Sequence, residues 1–378
     1  MTGEREADDL TAMFGEFAQM CEGGLPLYHR LAAATAEDRE VADRLLLAHP
    51  DQRQPMLLLA AVHDHLLAGD EDPLRQWYPS IVSRPRAVGS GDDDPWPYFR
   101  RLALDDPGVA KRLRTRSTQT NEVGRCAPLL PALTGVATSA PGAPPGGVRP
   151  LGLVELGASA GLNLLLDRYG YRYTRSVGPA IEVAPGAPLV LECALRGPHL
   201  PPLPVGPLHI ASRIGVDLHP VDLHHRDDAR WLIACQWPDD HDRIHRARAV
   251  IALAHGDPPR VVAGDAVAEV GHLVDGVARH ALPVVFATWM LSYLSPDRQA
   301  ELVAELGRIG TSRDLTFVYA DHPPRLPGID VPPRPDGKVD DRPTALVRVD
   351  WRDGERSDVR LADQHPHGTW MEWLGPEP

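Results

Sequence analysis

The sequence predicts an α/β protein in which a helical N-terminal region precedes a largely parallel sheet. Three observations support this fold class. After residue 150, apolar segments with strand character alternate with segments of helical periodicity, as expected for strands joined by helical crossovers. Before about residue 137, helical patterns dominate. Residues 151–163 combine an apolar run, a glycine-rich turn and a leucine-rich segment, which predicts a strand, a tight turn and the start of a helix.

The N-terminal region is expected to span residues 1–137. Residues 54–67 are apolar around most of a helical circumference, which predicts a buried helix, and Pro55 suits its first turn. A further helical stretch is expected over residues 107–133, ending near Pro131. Residues 138–150 are rich in Pro and Gly, as in a linker, so we place the domain boundary there.

The second domain is expected to span residues 151–378. Its strands are predicted at 151–155, 189–195, 213–217, 249–254, 283–288, 315–320 and 345–350. Its helices are predicted at 160–168, 226–235, 264–280 and 296–308. The proline-rich residues 175–210 are interpreted as an insertion between the first helix and the second strand of the sheet.

Composition narrows the function classes. The chain has 378 residues, a net charge of −13 and no block rich in Lys or Arg, so nucleic acid is not an expected partner. No apolar run reaches the roughly 18 residues that span a membrane, and the first twenty residues are acidic, unlike a signal peptide. Four widely spaced cysteines favour a reducing cytoplasm. We therefore expect a cytoplasmic protein with a small-molecule substrate; the oligomeric state is left open.

The turn after the first predicted strand carries the clearest motif. Its pattern is an acid at Glu155, small residues at Gly157, Ser159 and Gly161, and then Asn163. This spacing does not match the G-x-G-x-x-G fingerprint of dinucleotide sites. It resembles instead the first motif of class I S-adenosylmethionine (SAM) methyltransferases, with serine in place of the central glycine. The turn is expected to let a ligand approach the backbone, and the new helix to offer free N–H groups.

Two later strand ends complete the predicted cofactor site. Asp217 follows an apolar strand, where an acid can accept two hydrogen bonds from a ribose diol. Asp265 and Ala266 lie in a Gly-Asp-Ala turn that resembles the adenine-contacting turn of the same methyltransferases. Asp265 is also well suited to cap the following helix, and the two roles are compatible. Asp217 lies about sixty residues after the glycine turn, against the usual ~20, and a solvated turn residue is its alternative interpretation.

Substrate contacts are expected from Trp289 and Tyr293, which follow the buried run 283–288, although both residues could equally belong to the core. Asn121 and Arg125 lie in a polar stretch within the helical region and are the other substrate candidates. A solvated helix face is the alternative for that stretch.

His365 and His367 form a His-x-His pair, which on a strand would place both side chains on one face. We expect a late strand to carry them to the carboxyl edge of the sheet, where they would shape the pocket. Asp363 would reach the same face only in a regular strand. Two ligands hold zinc poorly, so no metal is predicted.

The whole chain resembles the bacterial domain of unknown function 2332 family (DUF2332). The matching segments follow in order along the chain: Leu25-Pro-Leu-Tyr, Gln54-Pro-Met-Leu-Leu-Leu-Ala-Ala-Val-His, Gln119-Thr-Asn-Glu-Val-Gly-Arg-Cys, Glu155-Leu-Gly-Ala-Ser-Ala-Gly-Leu-Asn-Leu, Asp167-Arg-Tyr-Gly-Tyr, Arg230-Trp-Leu-Ile-Ala-Cys-Gln-Trp-Pro, Gly264-Asp-Ala and His365-Pro-His-Gly-Thr-Trp. The resemblance implies a methyltransferase-like, Rossmann-like fold and leaves the reaction open.

The expected function is SAM-dependent methyl transfer to a small molecule. SAM would lie over residues 157–161, with Glu155 at its methionine end, Asp217 at the ribose and Asp265 with Ala266 at the adenine. Alignment alone can carry methyl transfer; if a base is used, the candidates are His367, His322 and Glu122. The alternatives are metal-assisted hydrolysis or rearrangement on the same fold, and a ligand-binding protein without catalysis.

Overall fold

The computed structural model describes residues 2–69, 71–139, 148–322, 326–334 and 344–375. The chain divides into two compact units. The first comprises residues 1–121 and 222–251, and the second comprises residues 122–221 and 252–378. Most of the predicted linker, residues 140–147, lies outside the described residues, so the predicted boundary at 138–150 stays a prediction. No helix in the described ranges is both long and apolar enough to cross a membrane.

The first unit is helical. Its helices are α1 (Thr2–Cys21), α2 (Pro26–Glu37), α3 (Arg39–Ala42), α4 (Pro55–Leu67), α5 (Trp96–Asp105), α6 (Pro107–Thr115), α8 (Arg226–Ala234) and most of α9 (His241–His255). Short 3₁₀ helices connect them at Asp43–Leu47, Pro50–Gln52, Pro73–Trp77 and Gly91–Asp93. Helix α4 is the centre of this unit: nearly every residue of it is buried, as its uniformly apolar sequence predicts.

One carboxylate is buried inside the first unit. Asp64 of α4 is 2% exposed and accepts hydrogen bonds from Arg112 of α6 at 2.6 Å and from Arg230 of α8 at 2.8 Å. A buried acid without partners would strongly destabilise the fold. The two guanidinium groups therefore let a polar residue occupy the centre of the helical core and tie three helices together.

The second unit contains an 11-stranded mixed sheet in the order β3-β2-β4-β11-β10-β9-β8-β7-β1-β5-β6. Its strands are β1 (Leu151–Leu156), β2 (Gly170–Arg175), β3 (Ile181–Val183), β4 (Val190–Arg196), β5 (Ile210–Asp217), β6 (Val261–Ala263), β7 (Leu282–Thr288), β8 (Leu315–Asp321), β9 (Thr344–Arg352), β10 (Glu355–Gln364) and β11 (Trp370–Trp373). The remaining 3₁₀ helices are Val123–Arg125, Leu162–Arg168 and Leu291–Tyr293.

Five neighbouring strands, β6, β5, β1, β7 and β8, run parallel to one another, and their carboxyl ends meet at one edge. Every residue of β1, β7 and β8 is buried, as expected for parallel strands covered on both faces. Strand β9 is antiparallel to β8, and β10 is antiparallel to β9. Strand β10 therefore ends at the same edge as the parallel strands, and the turn after it joins that edge.

Three helices belong to the second unit: α7 (Cys126–Ser139), α10 (Ala266–Asp275) and α11 (Pro296–Gly310). Helices α10 and α11 pack on one another and on strands of the parallel part of the sheet. Both begin with capping side chains. Asp265 accepts from the Val267 and Ala268 N–H groups, and Ser295 accepts from the Arg298 N–H. Helix α7 packs against β4 and β10.

Helix α7 continues through Pro131 to Ser139, so the predicted end near Pro131 is wrong. A proline inside a helix cannot donate to the carbonyl four residues earlier, which here is Ala127. The hydroxyl of Tyr173 in β2 donates to that carbonyl at 2.8 Å. The orphaned backbone acceptor is thus satisfied from the sheet, and the helix tolerates its proline.

The mixed α/β character and the helical N-terminal region are confirmed. The strand predicted at 249–254 is wrong: those residues belong to α9, because their alanine-rich sequence favours a helix. The parallel strand next to β5 is instead the short β6. Residues 175–210 contribute β3 and β4 to the same sheet, and β4 coincides with the strand predicted at 189–195. The helix predicted at 160–168 is a 3₁₀ helix over Leu162–Arg168.

The pairing of Pro131 with Tyr173 predicts a specific coupling. Tyr173→Phe removes the hydroxyl that donates to the Ala127 carbonyl and should lower the free energy of unfolding by about 1–3 kcal/mol. In a Pro131→Ala background the N–H of residue 131 reaches the same carbonyl, and Tyr173→Phe should then cost little. Urea unfolding of the four proteins in this cycle measures the coupling; equal costs of Tyr173→Phe in both backgrounds would contradict it.

Candidate functional site

The parallel strands bring the predicted residues of the second domain to one edge of the sheet. Asp265 follows β6, Asp217 ends β5, and Glu155 lies one residue before the end of β1. Trp289 follows β7 and His322 follows β8. Because these strands are neighbours in this order, the five residues follow one another along the edge where α/β sheets bind ligands.

The glycine turn after β1 has a left-handed backbone at three positions. The φ angles are +71° at Gly157, +51° at Ser159 and +71° at Gly161. Glycine adopts this conformation without strain, whereas serine does so at some cost. Ser159 therefore occupies a position that favours glycine, as the motif predicted.

Most N–H groups of this turn are used inside the protein. Those of Gly157 and Ala158 donate to the Val216 carbonyl at 2.9 and 3.1 Å, and that of Gly161 donates to the Ala158 carbonyl at 2.6 Å. The Ser159 N–H donates to Asp217 Oδ2 at 2.7 Å. These four N–H groups of the turn are therefore used within the protein. The turn is fastened to β5.

Glu155 is the most unusual group of the site. It is 2% exposed, its Oε1 accepts from Asn163 Nδ2 at 2.9 Å, and its Oε2 is buried without a hydrogen-bond partner among the described residues. Burial raises its pKa to about 8; the Asn163 hydrogen bond and the charge of Arg125 lower it, and the charge of Asp217 raises it. Glu155 is thus a buried acid with one oxygen left for a ligand.

Cys126 fixes the orientation of Asn163. Its thiol lies 3.3 Å from Asn163 Oδ1 and is fully buried. Burial raises the thiol pKa well above its ordinary value, so the sulfur keeps its proton and donates to that oxygen. The amide nitrogen of Asn163 then points to Glu155. The sequence did not identify Cys126, because nothing local relates it to residues 155–163.

The two predicted nucleoside-binding acids also have structural roles. Asp217 accepts from the Ser159 N–H through Oδ2 and from the His219 N–H through Oδ1 at 2.8 Å. Asp265 caps α10 through Oδ1, and the same oxygen accepts from Arg298. A carboxylate has about four acceptor positions. Each acid therefore keeps capacity for a ligand, and for Asp265 this is mainly Oδ2.

Asp321 is a further acid of this edge that the sequence analysis missed. It ends β8, is 2% exposed, and accepts from the N–H groups of Leu291 at 2.8 Å and His322 at 2.8 Å. Burial raises its pKa and these backbone hydrogen bonds lower it. The signal was available, since an acid closes this apolar strand as Asp217 closes β5. The His322 side chain itself is exposed.

Arg125 joins the end of β7 to the turn after β10. The residue is 5% exposed; its Nε donates to the Pro366 carbonyl at 3.0 Å, and its Nη1 lies 3.3 Å from the Thr288 carbonyl. The guanidinium carbon lies 5.9 Å from the ring centroid of Trp289, within the range of a cation–π interaction. Arg125 therefore lies beside the end of β7 with two donors committed to the backbone, and its role as a substrate contact stays a prediction.

Trp289 has a strained backbone. Its φ is +56°, which is rare for a bulky residue, and its indole Nε1 is buried without an acceptor among the described residues. The backbone is held by a hydrogen bond from the Trp289 N–H to the Ala320 carbonyl at 2.8 Å. Strain of this kind tends to occur at functional sites. Trp289 thus presents one donor without a protein partner.

His365 and His367 lie in the turn between β10 and β11, so their predicted place on a strand is wrong. The turn does lie at the carboxyl edge. Asp363 is buried and held by Arg334 and Arg360, so its carboxylate is committed to two cations. Within the described ranges, no three His, Cys, Asp or Glu side chains converge as a metal site.

The remaining predicted residues are more peripheral. Tyr293 is 79% exposed, in the 3₁₀ helix after β7. Ala266 is the first residue of α10 and is half-buried. Asn121 is the last residue of the first unit and is also half-buried. Glu122 is 3% exposed and belongs to the second unit, beside Arg125.

A separate cavity of about 420 Å³ lies elsewhere in the second unit, between strands β2 and β3 and residues 204–208. Tyr169, Tyr171 and Pro204 contribute to its walls. None of the residues predicted for the site lines this cavity, so its size alone does not make it the active centre.

The surroundings of Gly157 predict a steric coupling with Met290. A Cβ atom at residue 157 would lie 2.8 Å from Met290 Cβ and closer still to Met290 Cγ. Gly157→Ala should therefore lower the free energy of unfolding by about 2 kcal/mol or more, of which about 1–2 kcal/mol is backbone strain. In a Met290→Ala background, which removes Cγ but keeps Cβ, the cost should fall and stay above the strain alone.

Gly354→Ala is the matched control for this pair. Gly354 has φ +83° but nothing within 4 Å of its added Cβ, so it should show only the strain cost, about 1 kcal/mol. Thermal or urea unfolding gives all the values. Equal effects of Gly157→Ala and Gly354→Ala would contradict the contact with Met290.

The raised pKa of Glu155 predicts how stability depends on pH. The folded protein keeps the proton to about pH 8, whereas the ordinary pKa is 4.5. Between these values the folded state binds more protons, so this group lowers the free energy of unfolding as pH rises. Glu155→Gln removes the effect and should gain stability relative to wild type from pH 5 to 8, by at most about 1.4 kcal/mol per pH unit. Urea unfolding at each pH tests this; a difference independent of pH would contradict it.

The site can now be compared with known proteins. A comparison with curated proteins gave no match. A family profile described as "Uncharacterized protein conserved in bacteria (DUF2332)" matches residues 11–373. The match covers both units and every strand of the sheet. The chain therefore belongs to the bacterial family DUF2332.

Proposed function

We propose that this protein binds SAM at the carboxyl edge of β1 and transfers its methyl group to a small molecule. The observation that carries the proposal is the acidic character of this edge combined with the internal use of the turn N–H groups. Acids end or follow four strands of the parallel sheet: Asp265, Asp217, Glu155 and Asp321. We expect the protein to act in the cytoplasm, in keeping with its four buried free cysteines.

These features favour a cationic nucleoside over a nucleotide. Phosphates bind where N–H groups are free and the local charge is positive. Here four N–H groups of the turn donate within the protein, and carboxylates surround it. SAM carries an ammonium group, a sulfonium and a ribose diol, which complement carboxylates by charge and by hydrogen bonding.

The strand order agrees with this location. After β1 the chain first forms β2–β4 at the far edge of the sheet; the next parallel strands, β5 and β6, lie on one side of β1, and β7 and β8 lie on its other side. Such a reversal creates a crevice at the carboxyl ends of the two strands where it occurs, here β1 and β7. The glycine turn and Trp289 follow these two strands. A Rossmann-like, methyltransferase-type core is therefore part of the proposal.

Each residue of the site would contact a different part of SAM or of the substrate. The unpartnered Oε2 of Glu155 would meet the methionine end, the remaining acceptor positions of Asp217 would bind the ribose hydroxyls, and Asp265 Oδ2 with the Ala266 backbone would face the adenine. SAM supplies an electrophilic methyl group when bound. Trp289, through its indole N–H, would donate to an acceptor atom of the substrate and hold it in line, which is the main requirement for methyl transfer.

Calorimetry with the full chain tests the proposal. SAM should bind, S-adenosylhomocysteine should bind more weakly because it lacks the sulfonium charge, and ATP and NAD should not bind. The ammonium group of SAM would favour the ionised form of Glu155, so Glu155→Gln should weaken SAM binding about tenfold or more, since a hydrogen bond to a charged group contributes about 1.5–3 kcal/mol.

Glu182→Gln, the same substitution at an exposed acid on β3, should leave the affinity unchanged. No heat with SAM or S-adenosylhomocysteine at millimolar concentration would refute the proposal. Binding of ATP as tightly as SAM would show that the acidic edge does not select the ligand.

A further inference from the structure

Glu122 and His367 form a carboxylate–imidazole pair beside the proposed methyl-transfer site. Glu122 is 3% exposed, and its Oε1 accepts from the Gly124 N–H at 3.0 Å. Its Oε2 lies 3.8 Å from His367 Nδ1. The His367 side chain is 31% exposed, so the pair has a buried acidic end and an accessible imidazole end. This is the arrangement of a histidine oriented by a carboxylate.

Backbone contacts hold the two residues together. A Cβ atom on Gly124 would collide with the His367 carbonyl, and one on Gly368 would collide with the Gly124 carbonyl. Glycine at both positions allows these two segments of the main chain to approach this closely. Arg125 adds a hydrogen bond to the Pro366 carbonyl. The position of His367 relative to Glu122 is therefore fixed by the main chain.

Hydrogen bonds within the turn orient the imidazole rings of His365 and His367. The Gly368 N–H donates to the His365 carbonyl at 2.9 Å, and the His367 N–H lies 3.1 Å from His365 Nδ1. The His365 and His367 rings lie 5.4 Å apart between centroids. Among the described residues, the charged and titratable groups around His367 include Glu122 and Arg125 from one segment and His365 from its own turn.

The pair lies close to the end of β7. Arg125 links the turn to the Thr288 carbonyl and lies against the Trp289 ring. Met290, the next residue, packs against Gly157. A chain of direct contacts therefore leads from His367 through Arg125 and residues 288–290 to the glycine turn, all within the second unit.

We propose that His367 is the general base of this site and that Glu122 is the residue that positions it and stabilises its protonated form. The methyl acceptor is then a neutral hydroxyl or amine, which must lose a proton, and not a carboxylate, which would need no base. The acceptor lone pair forms the new bond to the methyl carbon, the electrons of the carbon–sulfur bond remain on sulfur, and the acceptor proton passes to His367 Nε2. The methyl-transfer step rests on the proposed function; the dyad itself does not.

The geometry favours His367 over the other candidate bases. His322 is exposed on the segment after β8, and Asp321 beside it is occupied by backbone N–H groups. The separation of 3.8 Å in the dyad exceeds a hydrogen bond, and such contacts commonly shorten when a substrate is bound. Once His367 has taken the proton from the substrate, its positive charge would attract the Glu122 carboxylate and shorten their separation further.

The dyad can be tested without any ligand, by following the histidine ring protons of the full chain by NMR as pH changes. His367→Asn identifies the His367 signal. In wild type its titration midpoint should lie above that of exposed His280; in Glu122→Gln it should fall by about one pH unit or more, since an adjacent carboxylate favours the charged imidazole. Glutamine keeps an oxygen for the Gly124 N–H, so the fold should persist.

Asp106→Asn is the matched control. It removes a carboxylate whose Oδ1 lies 3.4 Å from His65 Nδ1, outside the dyad, and should leave the His367 midpoint unchanged. An unchanged His367 midpoint in Glu122→Gln would overturn the dyad, whatever the calorimetry with SAM shows. If Glu122→Gln does not fold, a wild-type His367 midpoint at or below that of His280 would overturn it equally.

Discussion

The buried guanidinium of Arg125 connects the end of β7 with the turn after β10 and places a positive charge near the buried acid Glu155. Three carboxylates, Glu122, Glu155 and Asp321, are nearly inaccessible to solvent. Burying a charge is costly unless opposite charge and hydrogen bonds compensate for it. Arg125 lowers the pKa of Glu155 while its N–H groups satisfy two backbone carbonyls. The pKa of Glu155 and the connection between β7 and the turn after β10 thus depend on the same side chain.

This turn differs from phosphate-binding turns in the groups that it leaves available for a ligand. In phosphate-binding turns the backbone N–H groups contact the ligand directly. In this protein those groups fasten the turn to β5 and to Asp217, and side-chain oxygens remain for the ligand. Because Cys126 and Asn163 fix one oxygen of Glu155, the direction of the other oxygen is determined before anything binds. Such preorganisation lowers the entropy cost of recognition.

The sequence predicted the parts of the fold that leave local patterns. An apolar run closed by Glu155 or Asp217 identified strands β1 and β5, and a capping acid identified the start of α10. It failed where local pattern and tertiary context disagree. Residues 249–254 look like a strand and are helical, and Pro131 looks like a helix end until Tyr173 supplies the missing donor. The short strand β6 has too few residues to produce a pattern of its own.

The partners within the site could not be predicted, because they are distant in sequence. Arg125 and Pro366 are 241 residues apart, and both segments had been recognised only separately, as a polar stretch and as a His-x-His motif. No periodicity relates Gly124 to Gly368, although each lies within one of these motifs. Their close approach is a property of the assembled sheet, since β10 must pair with β9 before its turn can reach the edge.

This long separation has a consequence for how the protein is made. During synthesis the segment around Glu122 leaves the ribosome long before the hairpin of β10 and β11 exists. Contacts of such high sequence separation form late and slowly. Until they form, Arg125 has neither the Pro366 carbonyl nor the enclosed surroundings that the hairpin provides. The nascent chain must therefore pass through a state in which this charged segment is hydrated, and this edge of the sheet is completed only when one of its last elements is added.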